Sequence, residues 1–137
     1  MSTLLVYLCA VGGIISLHFT AIAFHWVKAD SRRLPIICRL EQQTCTAIVF
    51  TPSARILGPP NSLLGLIFYT LLGTAVATCG LHDPMVHLIG LSASAIALLF
   101  SLYLIYSLLF IVRAKCVFCF ASHAINLMLF VVLLAQL

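Results

Sequence analysis

Charge is the scarcest property of this sequence. Of its 137 residues only 7% are Asp, Glu, Lys or Arg, and the acidic ones number three: Asp30, Glu41 and Asp83. Soluble domains carry about a quarter charged residues, so a free-standing water-soluble domain is excluded. Also missing are an internal repeat, a low-complexity tract and any sign of a second domain. The N-terminal segment has no basic n-region and no small-residue cleavage site ahead of a polar chain. A cleaved signal peptide is therefore not expected, and a retained helix is.

What fills the chain instead is apolar sequence, 64% of the residues. Four runs without Asp, Glu, Lys or Arg can be cut out: Leu4 to Val27, Leu63 to Leu81, Met85 to Val112 and Cys116 to Leu137. Each reaches the roughly 20 residues that a helix needs to cross a bilayer. The expected fold is an all-α integral membrane protein, a four-transmembrane-helix bundle forming a single domain over residues 1–137. Its helices lie at about 4–27, 63–81, 85–112 and 116–137, with a long loop, 28–62, between the first two. The third run is longer than a bilayer requires and should tilt or protrude. An even number of crossings puts both termini on one side, and the long loop and the Arg113-Ala114-Lys115 turn on the other.

Nearly all the unusual chemistry belongs to that second side. It holds all seven basic residues, Lys28, Arg32, Arg33, Arg39, Arg55, Arg113 and Lys115, and four of the six cysteines, Cys38, Cys45, Cys116 and Cys119. The opposite side offers the termini and a short link, His82 to Pro84. Within the long loop, "LPIICRLEQQTC" carries a cysteine pair flanked by charge and amide groups. "TAIVFTPSARIL" follows, apolar enough to lie on or dip into the membrane surface and broken at Pro52. In "GPPNS" the glycine and prolines end any helix, and Asn61 or Ser62 is expected to cap the next one.

A cysteine inside an apolar helix usually behaves as a small hydrophobe, and that reading suits Cys9 and Cys79. Cys116 and Cys119 occupy the first turn of a helix, where the dipole and unpaired N–H groups favour a thiolate and Lys115 adds positive charge. A thiolate is the form that attacks disulfides. Structural zinc takes two closely spaced cysteine pairs on loops or knuckles; here one pair is spaced wider and the other starts a membrane helix, so no metal is expected. A structural disulfide would account for Cys38 with Cys45. Two pairs on one membrane face point instead to a relay, and a relay needs a terminal electron carrier. Cys116, Cys119, His123 and Asn126 fall at i, i+3, i+7 and i+10, one helical face. Polar groups in a membrane helix should turn inward. The stripe either lines an apolar pocket beside a thiol, which suits a quinone, or bonds helix to helix.

These motifs, in this order, resemble the vitamin K epoxide reductase family: a first helix, a long loop with "CRLEQQTC", "GPPNSLLG" opening the second helix, a third helix, and "CVFC" opening the fourth. Other quinone-linked four-helix thiol oxidases carry their Cys-x-x-Cys in the first loop. The resemblance covers nearly the whole chain and implies a stand-alone, prokaryotic-type member without a fused thioredoxin-like domain. It makes Cys116 and Cys119 the redox centre, with Cys119 nearer the quinone, and Cys38 and Cys45 the pair that exchanges with a separate thioredoxin-like protein. Asn61 matches an asparagine that bonds a quinone oxygen, and His123 stands where the family often has a tyrosine contacting the same ligand. Thr51, or else Ser53, matches a loop serine or threonine.

The expected activity is that of a quinone-dependent thiol oxidoreductase, passing electrons from the partner through both pairs to ubiquinone, menaquinone or phylloquinone in support of protein disulfide formation. Alternatives are a quinone epoxide reductase and a non-enzymatic membrane scaffold with structural disulfides. The expected partners are membrane lipid, the quinone and the thioredoxin-like protein, with no nucleic acid. A prokaryotic cell membrane is the expected location.

On the orientation two arguments collide. The resemblance puts the active loop outside the cytoplasm, where disulfides persist, whereas seven basic residues on the loop side and none in the opposite link point to the cytoplasm. The outer face is expected, with the inverted orientation the outcome if the charge rule dominates. A cysteine added to the loop in a Cys38→Ser, Cys45→Ser background should react with a membrane-impermeant maleimide on intact cells. Labelling only after lysis would put the loop inside.

Overall fold

The computed structural model describes residues 1–26 and 48–137. Among these residues it forms a bundle of four long helices: α1, Ser2–Ala23; α2, Asn61–Cys79; α3, Pro84–Tyr106; and α4, Val117–Leu134. A 3-10 turn, Pro52–Arg55, precedes α2, and a π-helical segment, Ser107–Ile111, prolongs α3. All four helices are long and apolar enough to cross a membrane, with α3 and its extension reaching 28 residues. This is a multi-pass membrane protein.

The helix ends follow local chemistry that an apolar run does not display. α1 stops at Ala23, short of Val27, because His25 adopts a left-handed φ of 59°. The N–H groups of His25 and Trp26 then turn back onto the carbonyls of Ile22 and Ala21, at 3.0 and 2.8 Å. α2 begins at Asn61, with Pro60 as the residue before its first turn and no side-chain cap. The cap expected of Asn61 or Ser62 is therefore absent: the Pro60 carbonyl takes the N–H groups of Leu63 and Leu64, which leaves Asn61 to bond elsewhere. α2 ends at Gly80, whose φ of 75° is a conformation glycine adopts without penalty. Asp83 caps α3, its carboxylate accepting from the N–H of Met85 at 2.8 Å and of Val86 at 3.3 Å.

The helices run alternately up and down. At the end holding the termini, Leu5, Leu8 and Cys9 of α1 pack with Tyr69, Leu72 and Val76 of α2 and with Ile125, Leu129 and Leu133 of α4. At the other end, Phe19, Ile22 and Ala23 enclose Val49 and Cys116. α1 packs closely along α2, and α3 along α4, while α2 and α3 touch little. In α3 the buried residues are Gly90, Ser94 and Ser101, whereas Leu88, Ile89, Ile96, Leu99 and Leu102 are exposed. This inverts the pattern of a water-soluble helix. With hydrocarbon outside, burying leucine gains little, and small residues at the seam let backbones approach.

The tightest approach is that of Gly12 to Tyr69. A Cβ at Gly12 would lie 2.7 Å from the Tyr69 ring, whereas one at Gly13 would meet nothing nearer than 3.8 Å. Gly12→Ala should therefore destabilise the bundle by about 1–3 kcal/mol, the usual cost of overpacking a full core. Gly13→Ala should be neutral or up to about 1 kcal/mol more stable, since alanine restricts the unfolded chain. Thermal unfolding of both variants in detergent checks the contrast. Equal midpoints would mean that the Tyr69 ring moves aside freely.

Candidate functional site

The site begins where α3 gives way to α4. In the π-helical segment the N–H of Val112 reaches back to Ser107 at 2.8 Å; Arg113 then takes a left-handed φ of 53°, and the N–H of Ala114 bonds Leu108 at 3.1 Å. Such segments are rare and cluster at functional sites. The reversal sets Cys116 in extended geometry as the residue capping α4, with its sulfur accepting the N–H of Cys119 at 3.3 Å. The Cys119 thiol donates to the same sulfur, the two Sγ atoms lying 2.7 Å apart. Cys116 is fully buried beneath Phe19, Ile22 and Val49. Cys119, one turn into the helix, is half-buried and faces a cavity of about 440 Å³.

That volume is in the range of small-molecule pockets. The wall is mostly apolar, with Phe19, Val49, Leu64, Phe68, Phe100 and Leu104 among its residues. Six of the residues expected from the sequence line it together: Thr51, Ser53, Asn61, Cys119, His123 and Asn126. Asn61 donates its amide N–H to the Ser53 carbonyl at 2.8 Å, and Thr51 donates to the Ile48 carbonyl at 2.7 Å. These residues thus hold the 3-10 turn as a rim over the cavity. His123 borders the same space, and its buried Nδ1 has no hydrogen-bond partner among the described residues. Cys38 and Cys45, with Lys28, Arg32, Arg33 and Arg39, lie outside the described residues.

Three wall residues were not singled out from the sequence. Ser107 donates to Ser53 Oγ at 2.7 Å, a second tether on the rim. Tyr69 donates to Asn126 Oδ1 at 2.6 Å, and Asn126 Nδ2 donates to Ser101 Oγ at 2.7 Å. A signal for the serines did exist: Ser101 and Ser107 stand in a largely apolar run, and polar side chains in a membrane helix tend to face inward. Tyr69 gave none, because a tyrosine in an apolar run reads equally well as a lipid-facing aromatic. Outside the wall, Ile96 and Phe100 also border a shallower groove of about 350 Å³ with Ile56, Leu99 and Tyr103, so cavity and groove share two residues.

A half-open, mostly apolar space with a few hydrogen-bonding groups and a thiol at its rim fits a flat, largely apolar molecule bearing polar oxygens. The orphaned Nδ1 of His123 is the kind of buried atom such an oxygen would satisfy. A quinone has this character. In comparison with known proteins, the model of the vitamin K epoxide reductase family matches residues 3–134.

The two tethers of the rim are separable. Ser107→Ala and Asn61→Ala should each weaken it by about 0.5–1.5 kcal/mol, the net worth of one hydrogen bond. Hydrogen exchange at the Ala54 amide, which bonds Thr51 at 3.0 Å, should quicken in each and most in the double variant. Unchanged exchange in both single variants would assign the rim's order to other contacts.

Proposed function

The chain belongs to the vitamin K epoxide reductase family, and from that premise we propose that it is a quinone-linked thiol oxidoreductase supplying disulfides to other proteins. Membership supports the kind of activity, oxidoreduction between thiols and a quinone in a membrane. The electron path is our reading. A reduced thioredoxin-like protein passes electrons to Cys38–Cys45, the loop dithiol reduces the Cys116–Cys119 disulfide, and the Cys116–Cys119 dithiol is reoxidised at the cavity.

The observation that carries this reading is the position of the Cys-x-x-Cys pair: two sulfurs 2.7 Å apart, one of them on the wall of an apolar cavity. Each exchange is thiolate attack on a disulfide sulfur through a mixed disulfide. At every step one S–S bond forms as another breaks, so electrons and protons balance until the last. There the Cys116–Cys119 dithiol gives up two electrons and two protons and closes to a disulfide. A bound quinone supplies the acceptor, taking both electrons and both protons to become the quinol.

The residues that would hold it are Asn61 and His123, with Thr51 and Ser53 shaping the rim beside them. Cys119 supplies the sulfur facing the cavity. Cys116, capping the helix behind it, is the sulfur we assign to exchange with the loop pair. An apolar tail would leave over Ile96 and Phe100 into the groove facing lipid, which keeps water from the reacting thiol. Activity would need the loop pair on the side where oxidised products persist, the outer face of a prokaryotic membrane.

The test is quinone reduction by purified protein given a small dithiol. Cys116→Ala and Cys119→Ala should fall to background, because neither leaves two thiols to close a disulfide. Cys9→Ala, altering a thiol packed against Gly73, should stay near wild type. Substantial turnover in either Cys116 or Cys119 variant would remove the redox centre from this pair.

A further inference from the structure

The polar groups of the cavity fall into two sets. One lies at the rim, with Asn61, Ser53, Ser107 and Cys119, and with His123 one turn beyond Cys119. The other lies deeper, where Tyr69, Asn126 and Ser101 join α2, α4 and α3. By helical rise, Tyr69 stands about 12 Å below Asn61 along α2, and Asn126 about 10 Å below Cys119 along α4. All three deep residues line the cavity.

A contact whose only work is to join helices would use up its hydrogen bonds, and this one does not. The 2.6 Å separation is an O–H···O length, so the Tyr69 hydroxyl fixes Asn126 Oδ1 toward α2. Asn126 Nδ2 must then point the other way. One of its two hydrogens goes to Ser101 Oγ, the one acceptor that nitrogen reaches among the described residues. The Ser101 hydroxyl, having accepted that bond, has no acceptor of its own there either. Donors without partners in apolar surroundings are unfavourable, and here two stand together on the cavity wall, one on buried Ser101 and one on part-buried Asn126. Tyr69 cannot easily swing away: its ring is seated on Gly12, where even a methyl group would clash.

We propose that Asn126 donates a hydrogen bond to the second oxygen of the bound quinone, the one farther from Cys119, and that Tyr69 is the positioning residue that orients the amide for it. This rests on the quinone-linked reading above and deepens it. The rim bonds one carbonyl of the ring and the deep set bonds the other, so the ring stands along the bundle axis with one oxygen near the thiol. The arrangement selects quinones with oxygens at opposite ends of the ring, and it leaves rings with adjacent oxygens one bond short.

Infrared spectra of a short-chain benzoquinone, carbon-13 labelled at each carbonyl in turn and bound to the protein in lipid nanodiscs, test this. In the wild type both carbonyl bands should lie below their positions in bare nanodiscs. Asn126→Leu should return one band to the unbonded position and leave the other shifted. Tyr69→Phe keeps the ring on Gly12 and serves if the leucine variant does not fold. It should move the same band partway back and raise the quinone KM about three- to tenfold, with kcat within about twofold. If both bands stay shifted in Asn126→Leu, or in Tyr69→Phe where that variant alone folds, the deep hydrogen bond is refuted while the quinone-linked function stands. If neither band is shifted in the wild type, no quinone occupies the cavity, and the functional reading fails as well.

Discussion

A lipid interior offers a polar group nothing to bond to, and this constraint organises the bundle more than apolar packing does. Each hydroxyl or amide within a span must find its partner inside the protein. Thr20 bonds back to Ser16, Ser94 back to Gly90, and His87 crosses to the Leu133 carbonyl near the end of α4. Where side chains cannot satisfy themselves locally, they meet across helices, as Tyr69, Asn126 and Ser101 do. The same rule explains why α3 turns its serines inward and its leucines out. It also leaves exceptions: among the described residues two buried imidazole nitrogens, His18 Nε2 and His123 Nδ1, have no partner, and only the second borders the cavity.

The two cysteines of the fourth helix are three residues apart yet occupy different environments. Cys116 belongs to the packed layer under α1, and Cys119 to the cavity. The difference arises from the irregular backbone just before them. A π-helical segment and a left-handed Arg113 let the chain reverse in a few residues, so the helix starts inside the protein and its first turn reaches both surroundings at once.

Much of this was legible in the sequence. Four long uncharged runs yield four helices because length and hydropathy are what a bilayer tests, and the Cys116–Asn126 stripe followed from helical spacing alone. The helix ends were less legible. Whether α1 stops at Ala23 or Val27 depends on a backbone angle at His25; histidine takes that angle more often than most residues, but nothing in the sequence requires it. Asn61 was misjudged as a cap because its alternative partner, the Ser53 carbonyl, comes from a turn whose path no local pattern reveals. Tyr69 was invisible for a different reason. Its importance comes from a glycine on another helix and an amide on a third, a coincidence that exists only in three dimensions.

The unequal packing of the helices also bears on how the protein is made. α1 with α2, and α3 with α4, form two closely packed hairpins, while α2 and α3 meet sparingly. Helices inserted into a bilayer associate after insertion, by packing, so each hairpin can form as its second member enters, before the halves join. The cavity draws its wall from all four helices and is created at that later docking. Until then the Cys116–Cys119 pair has a helix but no chamber. On this order of assembly the chamber beside Cys119 is the last part of the fold to form.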